Sequence, residues 1–375
     1  MIEIIKGDCL QSLKKLEDQS INTCVTSPPY WGLRDYGTAE WEGGDPDCDH
    51  VANPNATKKM GNEEFNKNRP SRESTKTKGY YEKECPKCGA IKKDSQLGME
   101  DTPEEFVDNL VKVFREVKRV LRDDGTVWLN LGDSYGQQKG KGFNANAKEG
   151  YIVSRRKELQ KKQGNINVKT NLPPKNLIGI PWRVALALQQ DGWYLRQDII
   201  WHKPNPMPES VKDRCTKAHE YIFLLSKSPK YYFDNEAIKE DCVGKDERKW
   251  ADSYEKAGSI KQGETNANIK RTKRYSKDGS FKRNKRSVWT VTTKPFKGAH
   301  FATFPMDLIK PCVLAGCPVG GTVLDPFAGS GTTGIVAAGN DRNAILLELN
   351  EDYIQLALDR MRAELGVFGD FKYDD

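Results

Sequence analysis

Two short segments combine residue types that can do chemistry. The first is Thr26-Ser27-Pro28-Pro29-Tyr30, which follows directly on an apolar run. Two consecutive prolines end regular structure and fix the chain, so Ser27 Oγ and the Pro28 carbonyl are two rigidly held acceptors. An exocyclic amine on a planar base has two hydrogens and a lone pair delocalised into the ring. Two fixed acceptors can draw that nitrogen toward tetrahedral geometry and expose the lone pair to a methyl donor. Tyr30 offers a π-face on which a flipped base can stack. This is catalysis by positioning, with no covalent nucleophile. Alone, such a string is more often a loop or a proline-rich ligand. Its place at a strand end, with a second motif elsewhere, favours chemistry.

The second segment is Val323-Leu324-Asp325-Pro326-Phe327-Ala328-Gly329-Ser330-Gly331-Thr332-Thr333. It reads as a strand, a glycine-rich turn and a helix start. Gly329 and Gly331 permit positive φ and close approach of a ligand to the backbone. The free N–H groups opening a helix at Thr332 can bind an anion such as a carboxylate. A glycine-rich turn by itself serves equally for a dinucleotide or a tight bend. Glu348 ends the next strand about twenty residues on, where an acidic side chain can hold both ribose hydroxyls of a nucleoside.

Cysteine and charge mark two further regions. The chain has nine cysteines, an odd number, and its N-terminus lacks the pattern of a secretory signal, so disulfides are not expected. Cys48-Asp-His50 and Cys85-Pro-Lys-Cys88-Gly89 supply a Cys₃His set for a structural zinc ion, although the long connection between the halves is unlike a finger. The alternative is free surface thiols. The net charge is +7, unevenly placed. A dense basic run, Lys270 to Arg286, includes Lys270, Arg271, Lys273, Arg274, Arg283 and Arg286. It reads as a grip on phosphates rather than a merely solvated loop, because of the motifs it accompanies.

The elements that must position these residues alternate. Ile2–Lys6 and Ile21–Thr26 read as strands around a helix starting at Cys9. Thr102, Pro103 and Glu105 are a helix-start signal, and the apolar spacing from Phe106 runs to Leu121. Asp124-Gly125 turns into the strand Thr126–Leu131. Pro181 opens another helix, and Tyr194–Trp201 and His219–Ser226 are strands. Phe304–Ala315 and Thr332–Ala338 are helices flanking the strand Thr322–Leu324. Ala344–Leu347 is the next strand and Tyr353–Leu365 the last helix. Strand–helix alternation predicts an α/β fold, a doubly wound and mostly parallel sheet. Ligands of such sheets sit at the carboxyl ends of the strands.

On these motifs the chain resembles the amino-methyltransferases of DNA, which modify adenine N6 or cytosine N4. Thr26–Tyr30 is similar to the family's catalytic motif and Asp325–Gly331 to its Asp-Pro-Phe-x-Gly-x-Gly cofactor motif. The catalytic motif comes first, as in the circularly permuted β group. The resemblance implies S-adenosylmethionine as cofactor, with Asp8 of Gly7-Asp8 at its adenine. It places His300 and Phe304, in His300-x-Ala-x-Phe-Pro305, at its methionine end and Glu348 at its ribose. It assigns Asp325, Pro326, Phe327, Gly329, Gly331 and Thr332 to the cofactor loop and Ser27, Pro28, Pro29 and Tyr30 to catalysis. Many adenine enzymes carry Asp or Asn where this chain has Ser27, which leans the reading toward cytosine N4.

The expected organisation is a methyltransferase domain in pieces. Its catalytic-loop half is 1–37 and its continuation 99–235, with a zinc-binding insertion at 38–98. A basic target-recognition region covers 236–290 and the cofactor-binding half 291–375. The 137–170 loop is polar and basic and joins the expected DNA grip. Expected partners are double-stranded DNA and a second copy of the chain, with no membrane, in the cytoplasm of a bacterium or of a cell carrying a phage. The rival readings are an RNA amino-methyltransferase, a non-catalytic zinc-containing DNA-binding protein and a nicotinamide oxidoreductase. The last leaves the double proline unexplained.

Overall fold

The computed structural model describes residues 1–32, 38, 40–48, 84–85, 87–93, 96–136, 172–241, 282–293, 304–366 and 371–374. The chain divides into two compact units. The first comprises 1–28, 107–133 and 179–375, the second 29–106 and 134–178.

The first unit is built on one sheet. Its strands are β1 (Ile2–Lys6), β2 (Ile21–Thr26), β5 (Leu121–Leu131), β6 (Tyr194–His202), β7 (His219–Ser226), β10 (Val288–Thr290), β11 (Thr322–Asp325), β12 (Asn343–Glu348) and β13 (Phe371–Asp374). Their order is β10-β6-β7-β5-β2-β11-β12-β1-β13. All neighbouring pairs are parallel except those of β7, which runs antiparallel to both β5 and β6. The carboxyl ends of β1, β2, β5, β11 and β12 therefore share one edge of the sheet. The short edge strands β10 and β13 were not anticipated from the sequence. Nor was the full length of β5. The expected turn at Asp124-Gly125 is an outward bulge within this strand, where pairing jumps from Ile21↔Leu121 to Thr23↔Thr126.

Central parallel strands must be covered on both faces, because each carries apolar side chains on both. One face presents Ile2, Ile4, Val25, Trp128, Ile222, Leu224, Val323 and Leu346. Against it pack α4 (Met306–Gly316), α5 (Thr332–Ala338) and α6 (Glu351–Leu365), through Leu308, Val313, Ile335, Ala337, Ala357 and Met361. Gly316 lets α4 lie close: a Cβ there would stand 2.7 Å from both Thr23 Oγ1 and Trp128 Nε1. The opposite parity includes Val127, Leu129, Leu131, Phe223 and Leu225, all buried. On that side Trp182 of α3 (Ile180–Gln190) meets the ring of Phe223 edge-on at 5.1 Å. The helices α1 (Cys9–Lys15) and α2 (Pro103–Val120) are tied together by Arg119, whose Nη2 donates to the Leu13 carbonyl at 2.8 Å. The expected start of α2 is present, with the Glu105 amide donating to Thr102 Oγ1 at 3.1 Å.

Within the second unit, β3 (Glu40–Glu42) pairs antiparallel with β4 (Ile91–Lys93). Trp31 is buried and its indole N–H donates to the Glu100 carbonyl at 3.0 Å. Tyr135 bridges Leu177, and Ile178 N donates to Ser134 O, so the chain leaves toward 137–171 and returns through a closed clip. The expected DNA-gripping role of that segment falls outside the described residues.

Candidate active site

The edge shared by β1, β2, β5, β11 and β12 collects most of the residues singled out by chemistry. β2 lies beside β11, with Thr23 opposite Val323 and Cys24 opposite Leu324. The Ser27–Pro28 segment and the glycine-rich turn thus leave adjacent strands at the same edge. Pro29 and Tyr30 follow by covalent continuity and belong to the second unit.

Ser27 is half-buried, and its hydroxyl donates to Asn130 Oδ1 at 3.3 Å. Asn130 is buried in β5, with its amide orientation fixed because Nδ2 donates to the Tyr221 carbonyl at 3.0 Å. The Ser27 proton is thereby turned toward the sheet and its lone pairs away from Asn130. Sequence reasoning missed Asn130. The available signal was a lone amide inside the apolar run Trp128-Leu129-Asn130-Leu131, where a buried polar side chain needs a partner.

Gly329 and Gly331 both adopt positive φ, 51° and 71°. Gly331 is also confined by α6, since a Cβ would lie 2.5 Å from Met361 Cε. Arg360 of α6 braces the turn, its Nη1 donating to Ser330 Oγ at 2.8 Å and Thr332 Oγ1 at 2.7 Å. Desolvation lowers the pKa of this guanidinium from its usual value. Arg360 is a second residue the sequence reading passed over.

Glu348 ends β12 against the same turn. Its Oε2 accepts from Gly329 N at 2.8 Å and its Oε1 from Asn350 N at 2.9 Å. Its backbone carbonyl accepts from Gly7 N at 3.0 Å, which brings the Gly7-Asp8 corner alongside. Asp8 caps α1, accepting from Gln11 N at 3.0 Å. Burial raises the Glu348 pKa against the lowering effect of its backbone amide donors, Asn350 and Gly329 foremost.

Exposure sorts the residues expected at the cofactor. Asp8, Phe304, Phe327, Gly329 and Glu348 retain partial access, whereas Asp325, Pro326, Gly331 and Thr332 are buried. Phe304 packs against the core below α4. His300 lies outside the described residues.

Further along the same edge, Asp133 caps α3, its Oδ1 accepting from the amides of both Gly179 and Ile180 at 3.0 Å. Lys217 Nζ donates to the Asp133 carbonyl at 3.0 Å, and burial lowers its pKa. Lys203 pairs with Glu220 and stands 4.1 Å above the Trp201 ring.

The basic run is only partly described: Lys270, Arg271, Lys273 and Arg274 fall outside. Arg283 and Arg286 both donate to Glu240 Oε1, at 3.0 and 2.7 Å. Glu240 and Arg283 also face each other in the two-residue ladder of β8 (Glu240–Asp241) and β9 (Lys282–Arg283). These two arginines stand at the root of the 242–281 segment, already matched by an acid.

In the second unit, Cys48, Cys85 and Cys88 come together, their sulfurs all within 4.8 Å of one another. Cys85 N donates to the Ala90 carbonyl and Gly89 N to the Cys85 carbonyl, closing a tight knuckle. His50 lies outside the described residues.

The strand order and the turn are those of the doubly wound α/β class, which carries its ligands at the carboxyl edge of the sheet. Within that class the chain belongs to the N6/N4 DNA methylase family, whose profile matches residues 21–359. It is 39% identical over 362 residues to the type II methyltransferase M.Cfr9I of Citrobacter freundii, covering 96% of this chain and 88% of that one. It is 38% identical over 363 residues to M.SmaI of Serratia marcescens, covering 96% and 90%. Among solved structures, PvuII DNA methyltransferase, described as cytosine-N4-specific, shares the fold with a TM-score of 0.52 at 15% identity, covering 99% of this chain and 94% of that one. TTHA0409 of Thermus thermophilus, solved with S-adenosyl-L-methionine, gives 0.51 at 20% identity, with 100% of both chains covered. The expected methyltransferase fold is thus confirmed. Among the described residues, no helix is long and apolar enough to cross a membrane.

Proposed function

We propose that this chain is a site-specific DNA methyltransferase that moves a methyl group from S-adenosylmethionine to the exocyclic amine of a flipped base, favouring cytosine N4. The observation that carries the reading is the adjacency of β2 and β11, which brings Ser27–Pro28 and the glycine-rich turn to one edge. The donor set suits the cofactor. Glu348 offers a carboxylate to ribose hydroxyls, the Gly329 region lets a ligand approach the backbone, and Asp8 stands alongside Glu348. Bound there, the cofactor supplies an electrophilic methyl group on a sulfonium.

The chain's own part is to present the amine. Ser27 Oγ, its proton given to Asn130, and the Pro28 carbonyl each accept one amine hydrogen. The nitrogen lone pair is then localised and aimed at the methyl carbon. With the cofactor bound, this lone pair would take up the methyl group, and the S–C electron pair would leave with the sulfur. The methylated nitrogen is then cationic and loses a proton through the acceptors to solvent. No strong base is required, in keeping with a neutral serine. The lean to cytosine N4 rests on Ser27. Tyr30 stacks on the base, and the 270–286 run, with Arg283 and Arg286 at its root, grips duplex phosphates. The test is to methylate a plasmid with purified protein and read modified bases individually. No modified amine on duplex DNA, with transfer to RNA instead, overturns it.

Cys48, Cys85 and Cys88, with His50 as the fourth ligand, hold a structural zinc ion in this reading. A tetrahedral zinc with Zn–S bonds of about 2.3 Å has S···S edges of about 3.8 Å. Cys48 Sγ and Cys85 Sγ are 3.9 Å apart, far beyond a disulfide bond of about 2.05 Å. Elemental analysis should find about one zinc per chain, lost in Cys85→Ser. Metal-free protein from chelator-free purification removes the assignment.

A further inference from the structure

Asp325 closes β11 and is 1% exposed. Both its oxygens are engaged inside the protein. Oδ1 accepts from Thr26 Oγ1 at 2.6 Å and from Phe327 N at 3.1 Å, and Oδ2 accepts from Thr333 Oγ1 at 2.6 Å. These partners belong to different machinery. Thr26 is the residue immediately before Ser27, Phe327 opens the glycine-rich turn, and Thr333 lies in the first turn of α5.

The backbone does not make this connection. Pairing between β2 and β11 ends at Cys24↔Leu324, two residues short of Thr26. Beyond that point a side-chain bond joins the two strands, with the Thr26 hydroxyl donating to Asp325. A carboxylate this deep is unfavourable, and burial pushes its pKa up to about 6. A neutral side chain would be cheaper to bury. What a carboxylate adds is acceptor capacity for three donors at once.

We propose that Asp325 is a positioning residue, not a cofactor ligand, and that it sets the gap between the cofactor turn and the Ser27–Pro28 acceptors. The proposal rests on the reading of Ser27–Pro28 as the amine-binding segment. In-line transfer needs the reacting atoms about 3–3.5 Å apart and aligned, and a misplacement of about 1 Å costs on the order of a hundredfold in rate. Loosening the Thr26 end should therefore slow transfer and leave cofactor affinity alone, because Thr26 is buried and leads into Ser27 rather than into the turn.

The experiment compares Thr26→Val, Thr26→Ser, Asp325→Asn, Asp325→Ala and Ser27→Ala in the full chain. Single-turnover methyl transfer to duplex DNA gives the rate, and calorimetry with S-adenosylhomocysteine gives cofactor affinity. Thr26→Val should transfer at least about thirtyfold more slowly with affinity within about threefold, while Thr26→Ser, which keeps the hydroxyl, stays near wild type. Asp325→Asn should outperform Asp325→Ala, since its carbonyl can serve Thr26 and Phe327 while its amide donates to Thr333. In Thr26→Val, a further Asp325→Asn change should add little, because the link is already broken. A wild-type rate in Thr26→Val, with Ser27→Ala inactive, overturns the positioning role and leaves the amine-binding reading intact. A wild-type rate in Ser27→Ala defeats that reading and the proposal with it. Loss of cofactor affinity in Asp325→Asn matching its loss of rate, with Thr26→Val unaffected, shows that Asp325 is a ligand after all.

Discussion

Replacing Glu348 by Gln is a sharp probe of the cofactor face. The carboxylate already accepts one amide on each oxygen, Gly329 N at 2.8 Å and Asn350 N at 2.9 Å. Each oxygen has a second lone pair, and the half-buried side chain keeps access to a ligand. Those remaining lone pairs are the ones that ribose hydroxyls can use. Glutamine keeps one acceptor oxygen and turns the other into a donor, which then faces an amide N–H. It thus removes a charged acceptor from the ligand and disturbs the turn that Glu348 holds. A hydrogen bond to a charged group contributes about 1.5–3 kcal/mol, so affinity for S-adenosylhomocysteine should fall about tenfold to a hundredfold. The same group makes binding pH-dependent. Its pKa is raised, chiefly by burial, so protonation sets in at higher pH than for an ordinary carboxylate. The ionised form is the acceptor, and wild-type affinity therefore declines as pH is lowered, whereas the Gln variant lacks this component. Calorimetric titrations between about pH 5 and 8 measure both effects. An unchanged Kd in Glu348→Gln, or an identical pH slope in the two proteins, refutes the ribose assignment.

Three further outcomes are expected. Asn130→Ala frees the Ser27 hydroxyl to rotate and should lower single-turnover transfer at least about tenfold without altering cofactor affinity, a smaller loss than Ser27→Ala; equal or greater loss of cofactor binding contradicts it. Asp325 has a folded-state pKa of about 6 against a reference of 3.8, a burial cost of about 3 kcal/mol once the group is ionised in both states. Because the raised pKa favours the folded state only where its proton is kept, this cost is greatest above pH 6 and fades toward pH 4. Urea unfolding should accordingly find Asp325→Asn at least as stable as wild type near pH 8, with the difference shrinking as pH falls; a variant equally less stable at both pH values is inconsistent with a buried ionised group. Replacing Arg283 and Arg286 by Gln, together with Arg271 and Arg274, should flatten the salt dependence of DNA binding by about 0.9 log units of slope per lost phosphate contact; an unaltered slope makes the run a solvated loop.

The elements and the two motifs were legible in the sequence, since both depend on near neighbours along the chain. Strand β2 ending in Ser27-Pro28, the capped start of α2 and the turn into α5 each follow from periodicity and turn chemistry over a few residues. Short strands without an apolar run escaped that reading: β10 and β13 gain their place only from a partner strand, and β13 pairs with β1 from the far end of the chain. The local rule also misjudged Asp124-Gly125, because a bulge and a turn share the same residues and only the register against β2 separates them.

Which side chains meet was left to the assembled sheet. Thr26 and Asp325 are 299 residues apart, and Ser27 and Asn130 are 103 apart. Neither pair leaves a spacing signature, because hydrogen-bond partners are chosen by strand order, and β2 lies between β5 and β11 only once the sheet has formed. The same holds for Asp325, which the motif marks as a cofactor-loop residue while burial turns it inward to Thr26 and Thr333. Cys48 likewise joins Cys85, 37 residues away, and Cys88, as β3 and β4 pair nearby. Residue type and spacing specify what chemistry a side chain can do; the packing of distant strands specifies whether its partner is there.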